Sequence, residues 1–176
     1  MPVKAEIGDS RLVLVALDAD YKDTHSVVAC VGFRAWGDAE PAFERVVRVP
    51  GPAAAYEPGK FYLRELPCLL AGLRALGSVP NIVVIDGYVR LSKTKPGLGA
   101  HLHDALFGKV PVVGVAKTEF HGAPAAEVLR GESKKLLYVT AAGIALDEAA
   151  TGIRSMHGAH RIPTLLARAD RLCRDG

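Results

Sequence analysis

Apolar side chains run unbroken through Leu12-Val13-Leu14-Val15-Ala16-Leu17 and again through Ile82-Val83-Val84-Ile85, and an aspartate closes each run. Short runs of this β-branched kind predict strands covered on both faces, the first from about Arg11 to Leu17 and the other over Ile82–Ile85. Between them, Ser26–Phe33 and Phe43–Val49 carry strand-like patterns, divided by the turn-rich Trp36-Gly37-Asp38-Ala39-Glu40-Pro41. This spacing predicts an antiparallel meander of three strands. From Glu65 the period becomes helical: Leu66, Leu69, Leu70, Leu73 and Leu76 form one stripe, and Gly77 is a natural stop. A helix around Leu98–Phe107, strands at Val110–Val115 and Leu136–Thr140, and helices near Leu146–Ile153 and Ile162–Cys173 complete the prediction. Pro163 suits the first turn of the last helix.

A meander followed by alternating helices and strands predicts an α/β fold: a mixed sheet, antiparallel at first and parallel afterwards, with helices on both faces. A ribonuclease-H-like fold has that order, and other α/β sandwiches share the pattern. The length of 176 residues suits one domain spanning 1–176, and the apolar fraction of 49% is what a buried parallel sheet requires. A net charge of +3 permits nucleic-acid binding without demanding it. Cys30, Cys68 and Cys173 are widely spaced, which argues against a zinc site and for buried thiols in a reducing, cytoplasmic setting. The first residues show no basic-then-apolar leader, and Leu12–Leu17 is too short to span a bilayer, so no membrane partner is expected.

The polar residues that interrupt this pattern carry the chemistry. Asp18 and Asp86 close two predicted strands, and in open α/β sheets ligands bind at the carboxyl ends of strands. Glu65 stands at the head of the leucine-striped helix, where a dipole contact is its ordinary role. Carboxylates gathered at one sheet edge repel unless a cation lies between them, and Mg²⁺ with its oxygen ligands fits that need. Basic residues recur nearby: Lys60, Arg64, Arg90, Lys93, Lys95 and Lys117. The reading is a metal-dependent phosphoryl-transfer site, with nucleic acid the expected substrate.

Several segments then become specific in combination: Asp18-Ala19-Asp20-Tyr21, Tyr56-Glu57-Pro58-Gly59-Lys60-Phe61-Tyr62-Leu63-Arg64-Glu65, Asp86-Gly87, Gly97, His101, and Val113-Gly114-Val115-Ala116-Lys117. In this order and spacing they resemble endonuclease V, a nuclease family acting on inosine-containing strands. Arg161-Ile162-Pro163 and Arg168-Ala169-Asp170-Arg171-Leu172 resemble the family's closing elements. The resemblance implies that Asp18, Glu65 and Asp86 hold one or two Mg²⁺ ions, with Mn²⁺ as a possible substitute. It implies Lys117 as the lysine facing the scissile phosphate, and Tyr56-Glu57-Pro58-Gly59 as the wedge loop that enters the strand. Gly59, Gly87 and Gly97 would let backbone approach a displaced base, and Lys93 or Lys95 would supply positive charge after Asp86 where a family element is replaced. The implied activity is phosphodiester hydrolysis near deoxyinosine or inosine in DNA or RNA, as in DNA repair, by a monomer.

Two departures stand out. Ser92, Lys93 and Thr94 occupy the place of a family His-Pro-Arg element, and Ala142 or Gly143 replaces a second histidine. They leave room for a degenerate relative that binds nucleic acid or metal with little cleavage. Asp20 is a possible supplementary ligand, while for His101 a core or capping role is expected.

Overall fold

The computed structural model describes residues 12–176, so Arg11, placed by the pattern at the head of the first strand, lies outside the described residues. The chain builds β1 (Leu14–Tyr21), β2 (His25–Phe33), β3 (Phe43–Pro50), α1 (Tyr62–Ala75), β4 (Ile82–Asp86), α2 (Leu98–Ala105), β5 (Val112–Ala116), β6 (Ala126–Val128), β7 (Leu137–Ala142), α3 (Leu146–Ser155) and α4 (Thr164–Asp175). One seven-stranded sheet holds them in the order β3-β2-β1-β4-β5-β7-β6. The predicted meander is there: β1 pairs antiparallel with β2, and β2 with β3. β1, β4 and β5 run parallel, as expected of strands linked by crossover helices. β7 runs back antiparallel to β5, and the short strand β6, which no pattern announced, pairs with it. Three residues with one buried side chain are too few to show a period.

Alternation along the strands explains the layers. Leu14, Ala16, Ile82, Val84, Val113 and Val115 face one way and pack with Ile153 of α3 and Leu165 and Ala169 of α4. Val15, Leu17, Val83, Ile85 and Val112 face the other way and pack with Leu69 and Leu73 of α1 and Leu102 of α2. Both faces of β1, β4 and β5 are therefore apolar, the continuous hydrophobic run of a doubly covered sheet. β3 is the outer edge of the meander and is mostly exposed. Among the described residues no helix is long and apolar enough to cross a membrane.

One boundary differs in a way that matters. The pattern ends the first strand at Leu17, yet β1 continues to Tyr21, paired with β2 as Asp18↔Ala29 through Tyr21↔Ser26. Its parallel ladder to β4 does stop, at Leu17↔Ile85. Asp18 thus sits where β1 parts from β4. The hairpin partner sustains a polar stretch that the buried parallel neighbour would not.

Candidate active site

The face rule continues past the ends of the ladders. Asp18 follows Leu14 and Ala16 in register, and Asp86 follows Ile82 and Val84, so both aspartates belong to the α4 side of the sheet. There they line a cavity of about 140 Å³ with Lys117, with Ile162 of the loop before α4, and with Leu166 and Asp170 of α4. Glu65 reaches the same edge from the other side, in the first turn of α1. Asp86 and Lys117 also border a second cavity of about 480 Å³ on the α1 side, lined by Gly59, Phe61, Tyr62, Gly87, Tyr88, Leu91, Pro96, Gly97 and Phe120. The two cavities share one seam, made of Asp86 and Lys117.

Electrostatics ties the acidic groups together. Desolvation, then the charge of Asp86, pushes the Asp18 carboxyl up to about 7, with Asp170 adding to the rise. Glu65 is pushed up to about 8 by desolvation, then by Asp18 and Asp86. The Asp86 carboxyl is raised too, first by desolvation and further by Asp170, against the lowering pull of Lys117. Lys117 Nζ stands 3.9 Å from Asp86 Oδ2, with side chains 49% and 53% exposed, so this is a loose, solvent-screened pair. Carboxylates that oppose one another's ionisation in a half-buried cleft are the donor set that a divalent cation relieves. These residues fit such an ion.

Asp170 is the member that sequence reasoning did not assign. Its carboxylate oxygen, one of Asp18 and the Cys173 sulfur lie within 4.8 Å of one another. Asp86 raises Asp18 through its charge, and both raise Glu65, but neither Glu65 nor Asp86 joins that tight group. A signal for Asp170 existed: Leu165, Ala169 and Cys173 form the inward stripe of α4, and position 170 falls beside it. Asp170 also accepts a hydrogen bond from Arg174 Nε at 3.0 Å. Cys173 donates to the Asp170 carbonyl, and burial with the surrounding aspartates pushes its thiol up to about 12. Asp20 is occupied by Lys22 at 2.8 Å.

The remaining residues surround the second cavity. Tyr56 is 63% exposed and meets Phe61 edge-on, ring centroids 6.4 Å apart, in a loop with exposed Pro58. Gly59 (φ +76°) and Gly87 (φ +121°) adopt the left-handed region that side chains disfavour. Gly97 is needed for space: a Cβ there would lie 2.6 Å from the Tyr88 carbonyl oxygen. Lys93 is exposed on a tight turn in which the Ser92 hydroxyl oxygen accepts the N–H groups of Thr94 and Lys95. Lys95 Nζ lies 3.4 Å from where a Gly59 Cβ would stand, so this turn leans on the Tyr56 loop. His101 is half-buried and stacks on Tyr62 with centroids 3.7 Å apart, which makes it a wall of α1 and α2. Arg64 covers the Tyr21 ring at 4.4 Å. The Tyr21 hydroxyl favours the charged form of Glu65 without reaching full hydrogen-bond geometry.

A seven-stranded mixed sheet with helices on both faces and an acidic centre where its parallel strands end defines a ribonuclease-H-like α/β protein. The endonuclease V family profile matches residues 3–150. The chain belongs to the endonuclease V family, a family of nucleases. It is 29% identical over 182 residues to the endonuclease V of Streptomyces avermitilis, covering 92% of this chain and 79% of that one. The crystal structure of the Streptomyces avermitilis protein matches with a TM-score of 0.74 and 31% identity, over 94% of this chain and 81% of the other. The endonuclease V of Ciona intestinalis, solved with a 23-mer DNA containing an inosine followed by a ribo-adenosine, matches with a TM-score of 0.79 over 93% and 84% of the chains. Its identity is 16%, so that likeness is one of fold.

Proposed function

We propose that the chain is a Mg²⁺-dependent endonuclease that hydrolyses a phosphodiester near deoxyinosine or inosine in DNA or RNA, with Mn²⁺ able to substitute. The observation that carries this reading is the gathering of carboxyls at one cleft edge, where Asp18, Asp86 and Asp170 line one cavity and the charges of Asp18 and Asp86 hold the nearby Glu65 carboxyl up. Asp18, Glu65, Asp86 and Asp170 would hold the metal, and Lys117 would meet phosphate charge across the seam from Asp86. Mg²⁺ bound there would supply an activated water and stabilise the leaving oxygen.

The second cavity serves the displaced base. Gly87 and Gly97 bring bare backbone to its wall, and its volume of about 480 Å³ is ample for a nucleobase. Tyr56 offers an exposed ring as the wedge, offsetting lost stacking of about 1–3 kcal/mol per base. Pro58 and Gly59 shape that loop, and Lys93, exposed on its turn, would meet a phosphate of the strand. The inosine-containing DNA held by the Ciona intestinalis enzyme supports this choice of substrate. A second reading, a binder that cuts poorly, is favoured by Ser92, whose hydroxyl is spent on its own turn where the family has a histidine.

The test is incubation of purified protein with labelled inosine-containing and unmodified DNA and RNA, with Mg²⁺, Mn²⁺ or chelator. Metal-dependent cutting confined to inosine strands is expected. Tight inosine binding without cutting would select the second reading, and neither binding nor cutting would overturn both.

A further inference from the structure

Lys117 is the first residue past β5, and the β5–β7 ladder ends one residue earlier, at Ala116↔Tyr138. Two side chains from elsewhere hold the backbone that the sheet no longer pairs. Arg161 donates from Nη2 to the Lys117 carbonyl, and from Nε and Nη2 to the Leu136 carbonyl at 3.0 and 2.5 Å. From the loop after β4, the Tyr88 hydroxyl donates to the Thr118 carbonyl at 2.6 Å and accepts the Phe120 N–H at 3.0 Å. Arg161 rides on a loop that is itself pinned. Arg130, 5% exposed, donates to the carbonyls of Met156, Gly158, His160 and Arg161.

A half-exposed lysine has a long flexible stem, and its 3.9 Å pair with Asp86 is too loose to fix it. What remains to set the ammonium is the point where the stem leaves the backbone. We propose that Arg161 and Tyr88 are positioning residues for Lys117: they brace the 117–120 segment from two sides and so set where its ammonium stands against Asp86. This rests on the assignment of Lys117 to the phosphate-facing seam under the proposed function. A guanidinium fork can span two carbonyls, which an ammonium cannot do with the same geometry. Displacement by about 1 Å at a reacting centre costs on the order of 100-fold in rate.

Two conservative variants test the brace. Tyr88→Phe keeps the ring and removes one oxygen; Arg161→Lys keeps the charge and removes the fork. On an inosine strand with Mg²⁺, each is expected to lower kcat roughly 10- to 100-fold with KM within about twofold. Neither should cause a further loss in a Lys117→Ala background. Independently of cutting, the side-chain ¹⁵N signal of Lys117, assigned by its loss in Lys117→Ala, should move in both variants toward its position in Asp86→Asn. Undiminished kcat losses without Lys117, or an unmoved Lys117 signal in either folded variant, overturn the brace. A parent protein that cuts nothing refutes the proposed function instead, and the spectroscopic result then decides the brace alone.

Discussion

Asp86 is one side chain shared by two cavities. It closes β4, takes Lys117 as a loose partner and helps to raise the carboxyls of Asp18 and Glu65. Asp86→Asn keeps the shape and removes the charge. Metal-dependent cutting should fall at least 100-fold while the circular dichroism spectrum stays that of the parent; equal cutting would show that Asp86 is no ligand. The raised carboxyls also give a pH signature. A carboxyl whose folded pKa exceeds its unfolded value stabilises the fold fully below the unfolded value, and that stability is lost as pH rises through the folded one. For Asp18 and Glu65 the unfolded values are 3.8 and 4.5, and the folded values about 7 and about 8. Metal-free protein should therefore melt at a progressively lower temperature from about pH 5 to about pH 8. Mg²⁺ should restore the melting point most at the alkaline end, and a metal-free melting point flat across this range would refute the coupling.

The elements divide the work between the two faces of the sheet. α4 brings Asp170 to the face where Asp18 and Asp86 point, and α1 brings Glu65 and Tyr62 to the other. The Tyr56 loop and the Ser92 turn meet at the second cavity, which Gly59 and Phe61 line from one and Leu91 and Pro96 from the other. Tyr56→Ala should weaken binding of an inosine strand about 5- to 100-fold and of an unmodified strand much less, as read by fluorescence anisotropy. Equal losses on both would remove the wedge role. Gly97→Ala forces a Cβ against the Tyr88 carbonyl and should cost about 1–3 kcal/mol in urea unfolding. Because Tyr88 is displaced with it, cutting should drop more than stability alone explains; a neutral Gly97→Ala would show that the loop has slack.

Across the whole molecule, two apolar layers hold the sheet and the site lies where they run out. α4 seals one layer through Leu165, Ala169 and Cys173 and at the same time delivers Asp170, so packing and the placement of this carboxylate are coupled. Leu165 is 2% exposed, and Leu165→Ala should destabilise by about 2–5 kcal/mol in urea titration. Its Mg²⁺-induced rise in melting temperature should be smaller than the parent's, because the cavity loosens the helix that carries Asp170. A full metal response in this variant would show that α4 positions its carboxylate independently of its packing. Much of this was legible in the chain. The continuous runs at Leu14–Leu17 and Ile82–Ile85 announced strands covered on both faces, and Leu69 and Leu73 announced the buried face of α1. Periodicity is local, and burial on both faces leaves a signal in a few residues. β6 and the antiparallel return of β7 were not legible, because short strands and pairing direction depend on which neighbour is near. The side chains at Asp18, Glu65 and Asp86 could be named from residue type and spacing. Their electrostatic coupling, the arrival of Asp170 beside Cys173, and the hold of Arg161 and Tyr88 on the Lys117 segment arise from contacts between residues far apart in the chain. Such contacts come into being only when the layers close, and no local pattern encodes them.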